Sequence, residues 1–141
     1  NTDDLQISSY EGQIFNGNTF RLAFMQNLKS SRQSIVISSP KLYRTERNTF
    51  VKMLRELHAS GVQVAILTSE ESSQTNYLKS LGLYVKIVPK LSLSSCIIDR
   101  STVWYGSINI LGYVTEEDNI IKITDGKLAN ELLDVIYDSP K

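Results

Sequence analysis

The chain has 141 residues, a formal net charge of zero (15 Lys and Arg against 15 Asp and Glu) and 41% apolar residues. This is ordinary globular composition, which excludes a disordered chain, and no apolar run approaches the roughly 18 residues of a membrane span. A single cysteine, Cys96, excludes an internal disulfide framework and a Cys-based zinc finger, and fits a reducing cytoplasm. The length predicts one domain over 1–141, with a polar lead-in over 1–17. The chain starts at Asn1 rather than Met, so it is expected to be a processed form or a piece cut from a larger protein, a fragment being the favoured reading. The neutral sum is uneven along the chain. Residues 21–60 carry a surplus of six positive charges, while 1–20 and 61–141 each carry a surplus of three negative ones. Such asymmetry can mark an anion-facing half, or simply two basic solvated helices.

Ile14 and Phe15 form a short extended piece. A helix starts at Asn18 or Thr19, with Phe20, Ala23, Phe24 and Leu28 at helical spacing, and ends near Ser30. Ser34–Ser38 is β-branched and precedes Pro40, so it predicts a buried strand. A second helix runs from Arg44 or Thr45 to Ser60, with Gly61 as its stop. Strand 62–67, a short helix over 74–81 closed by Gly82, and strand 84–88 follow. Strands 95–98 and 102–105 pair as a hairpin across Asp99-Arg100-Ser101. A loop then leads to strand 119–124 and a closing helix over 127–137. Alternating helices and strands in the first half imply right-handed parallel crossovers. The fold class is α/β: a three-layer-like α/β/α sandwich with a mixed, largely parallel sheet.

Asp99 ends an apolar strand. Six residues later Gly106-Ser107-Ile108-Asn109 closes the next one. This resembles the phospholipase D superfamily, whose signature is His-x-Lys, four residues, Asp, six residues, Gly-Ser-x-Asn. The opening helix and Ser34–Pro40, the run from Leu54 to Thr68 and the pair Asp118-Asn119 are similar to further parts of that family. The resemblance implies a phosphate cleft in which one His attacks phosphorus, a second His from another half protonates the leaving oxygen, and Lys, Ser and Asn hold the phosphate. Here the His position falls on Ser92 and the Lys position on Ser94. A serine hydroxyl lacks the nucleophilicity of imidazole near neutral pH, and the phosphate-neutralising ammonium is gone. The expectation is therefore a degenerate motif and a chain that is not an enzyme. The one histidine, His58, is expected to be a partly exposed helix residue.

The vestigial positions are Ser92, Ser94, Ser107, Asn109 and Asp118. Lys41, Arg44 and Arg47 follow the first parallel strand and Lys90 follows the third. Ligands of open α/β sheets sit at the carboxyl ends of strands, so these four cations, with Ser107 and Asn109, are the anion-binding candidates. Asp99 is read as a structural hydrogen-bonder, and one ring of Trp104 and Tyr105 as core. The expected role is an accessory module for DNA or RNA in a larger helicase- or restriction-type ATPase. A dimerisation scaffold, as a homodimer or the silent partner of a second phospholipase D-like half, is the alternative. An atypical phosphodiesterase using Ser92 or Ser94 is a third reading. No cofactor, metal or membrane partner is expected.

Overall fold

The computed structural model describes residues 12–137. Most of the lead-in, residues 1–11, lies outside the described residues. In chain order the elements are β1 (Gln13–Asn16), α1 (Phe20–Lys29), β2 (Ser34–Ser38), a 3-10 turn (Thr45–Arg47), α2 (Thr49–Ala59), β3 (Gln63–Thr68), α3 (Ser73–Ser80), β4 (Tyr84–Ile87), β5 (Ser94–Ile98), β6 (Thr102–Gly106), β7 (Asn119–Thr124) and α4 (Gly126–Tyr137).

All seven strands join one sheet in the order β1-β7-β6-β5-β2-β3-β4. The sheet is mixed, as expected, but its parallel part is confined to one edge. Only the neighbours β2–β3 and β3–β4 are parallel. The pairs β1–β7, β7–β6, β6–β5 and β5–β2 are antiparallel. Connection length accounts for the contrast between β2–β3–β4 and β5–β6. A parallel crossover needs a dozen or more residues, which α2 and α3 supply, whereas β5 and β6 are joined by Asp99-Arg100-Ser101 alone.

Two cores flank the sheet. On one face Phe20, Phe24 and Leu28 of α1, Phe50 and Leu54 of α2 and Leu78 of α3 pack on Ile35, Ile37, Ile66, Cys96 and Trp104. Phe24 lies edge-on to both Phe50 and Trp104, with centroids 5.0 and 5.2 Å apart. Trp104 is fully buried, and its Nε1 donates to Asn27 Oδ1 at 2.7 Å, so the ring enters the core without an orphaned donor. On the other face α4 lays Ala129, Leu133 and Ile136 on Val36, Leu67, Ile97 and Val103. Trp104 is thus the core ring of the Trp104-Tyr105 pair, and Tyr105 is exposed.

The second helix is shorter than its periodicity predicts. Asn48 is extended (φ −79°, ψ 123°) and caps α2, its Oδ1 accepting from the backbone N–H groups of Phe50 at 2.8 Å and Val51 at 3.3 Å. The residues before it turn as a 3-10 segment entered through Arg44, which takes a left-handed conformation (φ 47°, ψ 49°).

Candidate site at the strand ends

Strand direction decides which motif residues meet. β5 runs against β2 and β6, with Ser95 opposite Ser38 and Ser94 opposite Gly106. The start of β5, the carboxyl ends of β2, β3, β4 and β6, and the start of β7 therefore share one end of the sheet. Ser92, Ser94, Ser107, Asn109, Asp118, Lys41 and Lys90 all belong to this end. Asp99 does not. It closes β5 at the opposite end, about 17 Å away at the usual rise per residue. There its carboxylate accepts backbone N–H bonds from Arg32, Gln33 and Ser34 at 2.7–3.1 Å.

Segment 39–43 is pinned at the strand-end site from two sides, by the end of β3 and by the loop 109–111. The Pro40 carbonyl accepts from Thr68 Oγ1, Ser69 N and Ser69 Oγ at 2.7–3.2 Å. Ser39 Oγ donates to the Lys41 carbonyl at 2.8 Å and accepts from Leu111 N at 3.2 Å. Lys41 N donates to Asn109 Oδ1 at 3.2 Å, and Tyr43 N to the Leu111 carbonyl at 3.0 Å. The close approach depends on Gly112, where a Cβ would lie 2.9 Å from the Lys41 carbonyl oxygen and 2.7 Å from Asn109 Cβ. Asn109 thus spends its carbonyl on the backbone, while its side-chain NH2 makes no hydrogen bond among the described residues.

Ser107 is tied to Asp118. Its Oγ donates to Asp118 Oδ1 at 3.0 Å and accepts from Asn119 N at 3.1 Å. Asp118 Oδ2 accepts in turn from Thr115 N and Oγ1 at 3.2 and 3.1 Å. Gly106 makes this packing feasible, because a Cβ there would collide with the Asn119 carbonyl. Ser94 is buried on the face of the larger core, alternating with Cys96 and Ile98, and Ser92 is exposed.

The cations surround this end without converging on a point. Arg44, Arg47, Glu46 and Gln74 line one surface depression, and Lys41 lies in a second with Glu70, Thr68 and Ser72. Lys90 follows β4, separated from β2 by β3, so about 10 Å across the sheet. Lys79–Glu71 at 3.7 Å is the one ion pair within 4 Å among the described residues. His58 stands exposed on α2, close to the position a side chain at Gly82 would take, at the far end of β3 from the site. Among the described residues no three His, Cys, Asp or Glu side chains group to hold a metal ion. No helix among them is long and apolar enough to cross a membrane.

Sequence reasoning missed the aromatic component. Tyr43 and Tyr113 stack edge to face with centroids 5.5 Å apart, and the Arg44 guanidinium lies 5.0 Å from the Tyr43 ring centre. Lys41-Leu42-Tyr43-Arg44, an aromatic ring between two cations, was the available signal for half of it. Nothing near Tyr113 in the chain signals the other half.

A family model described as "Cardiolipin synthase, PLD-like domain" matches residues 24–137. The chain belongs to the phospholipase D-like family. Solved structures agree in fold. Nuc, a phospholipase D family member from Salmonella typhimurium, is 20% identical, with a TM-score of 0.75 over 92% of each chain. The phosphatidylserine synthase of Haemophilus influenzae is 14% identical, with a TM-score of 0.70 over 91% of this chain and 36% of that one. TrmBL2, an archaeal chromatin protein whose structure is described as a novel mode of DNA binding, is 13% identical, with a TM-score of 0.67 over 95% of this chain and 54% of that one. No curated protein matches the sequence.

The expectation that the chain is not an enzyme is corrected by these likenesses. The family model carries the name of an enzyme, and its phospholipase D-like neighbours include a synthase, which points to a catalytic family. Positions 92 and 94 are serines, and that alone does not settle whether the strand end is catalytic.

Proposed function

We propose that this phospholipase D-like domain binds nucleic acid across the strand-end site, through the phosphodiester backbone. Lys41, Arg44, Arg47 and Lys90 supply positive charge, and the Asn109 side-chain NH2 supplies a neutral donor. Ser107 contributes only by turning its O–H from Asp118 towards a phosphate. The observation that carries the reading is the placement of those cations: four stand around one end of the sheet, and, like every described Lys and Arg but Lys79, none has a carboxylate within 4 Å among the described residues. A row of phosphates would complete them, because cations that contact phosphates release condensed counterions from the nucleic acid. The setting that fits is a module within a larger helicase- or restriction-type ATPase. The archaeal chromatin protein supports the modular, DNA-binding part of that setting and not the ATPase, since this fold matches 54% of its chain.

Anisotropy of a labelled DNA strand, titrated with protein at several salt concentrations, tests this. The expected log–log slope is about −3 for four phosphate contacts. Lys41→Ala and Arg47→Ala each reduce the slope by about one contact and weaken binding evenly across sequences. Affinity that does not change with salt, or no binding, overturns the proposal. Strand cleavage is read from the same samples, and its loss in Ser92→Ala or Ser94→Ala would assign those hydroxyls to the chemistry.

A further inference from the structure

We infer that the nucleic acid taken at this end is single-stranded, with an unstacked base seated against the Tyr43–Tyr113 pair. The inference rests on the nucleic-acid reading above and narrows it. Both rings are large, apolar and outside the core: Tyr113 is 66% and Tyr43 42% exposed. They meet at 86°, edge to face, so their mutual contact leaves ring surface of both facing solvent.

The platform is built rather than incidental. Tyr43 is fixed by its backbone bond to Leu111, and Lys41 two residues earlier by its bond to Asn109. Arg44 is held beside Tyr43 by a left-handed backbone that a non-glycine residue adopts only at some cost. The next residue secures it: Thr45 N and Oγ1 both donate to Gln74 Oε1 at 2.8 Å. A guanidinium lying on a ring keeps its N–H donors available in its own plane, and Arg44 has no ion-pair partner among the described residues. Two cations and one exposed ring thus fall within the four consecutive residues 41–44, and the second ring, Tyr113, stands on the loop packed against them.

That combination discriminates between strands. In a duplex each base has both faces covered by its neighbours, so an exposed ring gains nothing from it. In a single strand a base can leave the stack and cover the tyrosine, while the adjoining phosphate meets Lys41 or Arg44.

The test compares a labelled oligo(dT) strand with a duplex of equal length, at one fixed salt concentration. The wild type is expected to bind oligo(dT) about tenfold more tightly than the duplex. Tyr113→Ala should lose roughly tenfold on oligo(dT) and under about twofold on the duplex, with an unchanged salt slope, since no phosphate contact is removed. Tyr113→Phe, which keeps the ring face, should restore single-strand affinity. A thermal melt of each variant confirms that it is folded. Equal losses on both probes, or none, overturn the inference while leaving salt-dependent binding, and so the broader reading, in place. No salt-dependent binding by the wild type overturns both.

Discussion

Asp99 carries more of the fold than its place in a hairpin suggests. One carboxylate accepts three consecutive backbone N–H groups, those of Arg32, Gln33 and Ser34, where the chain enters β2. Without it these donors lose their partner, and a left-handed backbone (φ 54°) is left to a residue that dislikes it. Asp99→Ala should therefore lower stability by about 2–4 kcal/mol, read as a lower urea midpoint. Asp99→Asn, which keeps one acceptor oxygen and tolerates φ > 0, should lose less. A neutral Asp99→Ala would mean that solvent satisfies the three donors equally well. Arg44 is the opposite case. Its φ of 47° is held at a cost, so Arg44→Gly should leave the melting temperature unchanged or raised while weakening nucleic-acid binding. A variant that loses stability and affinity together would assign the arginine to the fold instead. The motif made Asp99 and Gly106 legible in the sequence. Their partners were not, because Asp99 reaches residues 65–67 positions earlier and Gly106 makes room for Asn119.

The elements followed from periodicity, and their boundaries from capping. Phe50, Leu54 and Leu57 predict α2, but a stripe does not say where the first turn closes. Asn48 does, because its side chain accepts from two N–H groups that have no partner inside the helix. Asn48→Ala should cost about 1 kcal/mol, measured by denaturant titration. It should also loosen the 3-10 turn that carries Arg44 and Arg47 up to the cap. Hydrogen exchange would register this as faster exchange at Arg47 and Asn48, whose N–H groups bond to the Arg44 and Thr45 carbonyls at 3.0 and 3.3 Å. Unchanged exchange there would mean that the Thr45–Gln74 bonds hold the turn without the helix. The sheet shows the same limit. Apolar runs located all the strands but β1, which the sequence offered only as a two-residue extended piece. The three-residue β5–β6 turn and the short 88–93 connection from β4 turn β5 against its neighbours, whereas the β1–β7 pairing joins strands from opposite ends of the chain and had no local signal.

At the scale of the whole molecule, the centre of the sheet is closed to solvent. Cys96 lies in β5 opposite Ile37 and Trp104 and is fully buried, and burial pushes its thiol well above the ordinary cysteine range. The reactive species is the thiolate, so the native protein should resist alkylation. Labelling should appear only as the molecule opens globally, with a denaturant dependence matching that of full unfolding. Fast labelling in native buffer would mean that β5 is released locally. The same sheet explains how a chain with no net charge can present a positive end. The basic stretch over 21–60 holds the single strand β2; Lys41, Arg44 and Arg47 follow its carboxyl end, while Arg32 precedes its start at the opposite end of the sheet. Arg55 lies on the outer surface of α2 instead.

By itself the sequence determined the α/β class, the order of nearly every element and the motif around Asp99 and Gly106-Ser107-x-Asn109. All of these are local patterns, readable in windows shorter than a hairpin. The tertiary structure decided the rest: that Asp99 stands at the far end of the sheet from Ser107, that Ser107 holds Asp118, and that Tyr43 meets Tyr113 beside Lys41 and Arg44. Each is a meeting of residues distant in the chain. Strand direction and register bring them together, and neither quantity is carried by any single stretch of the sequence.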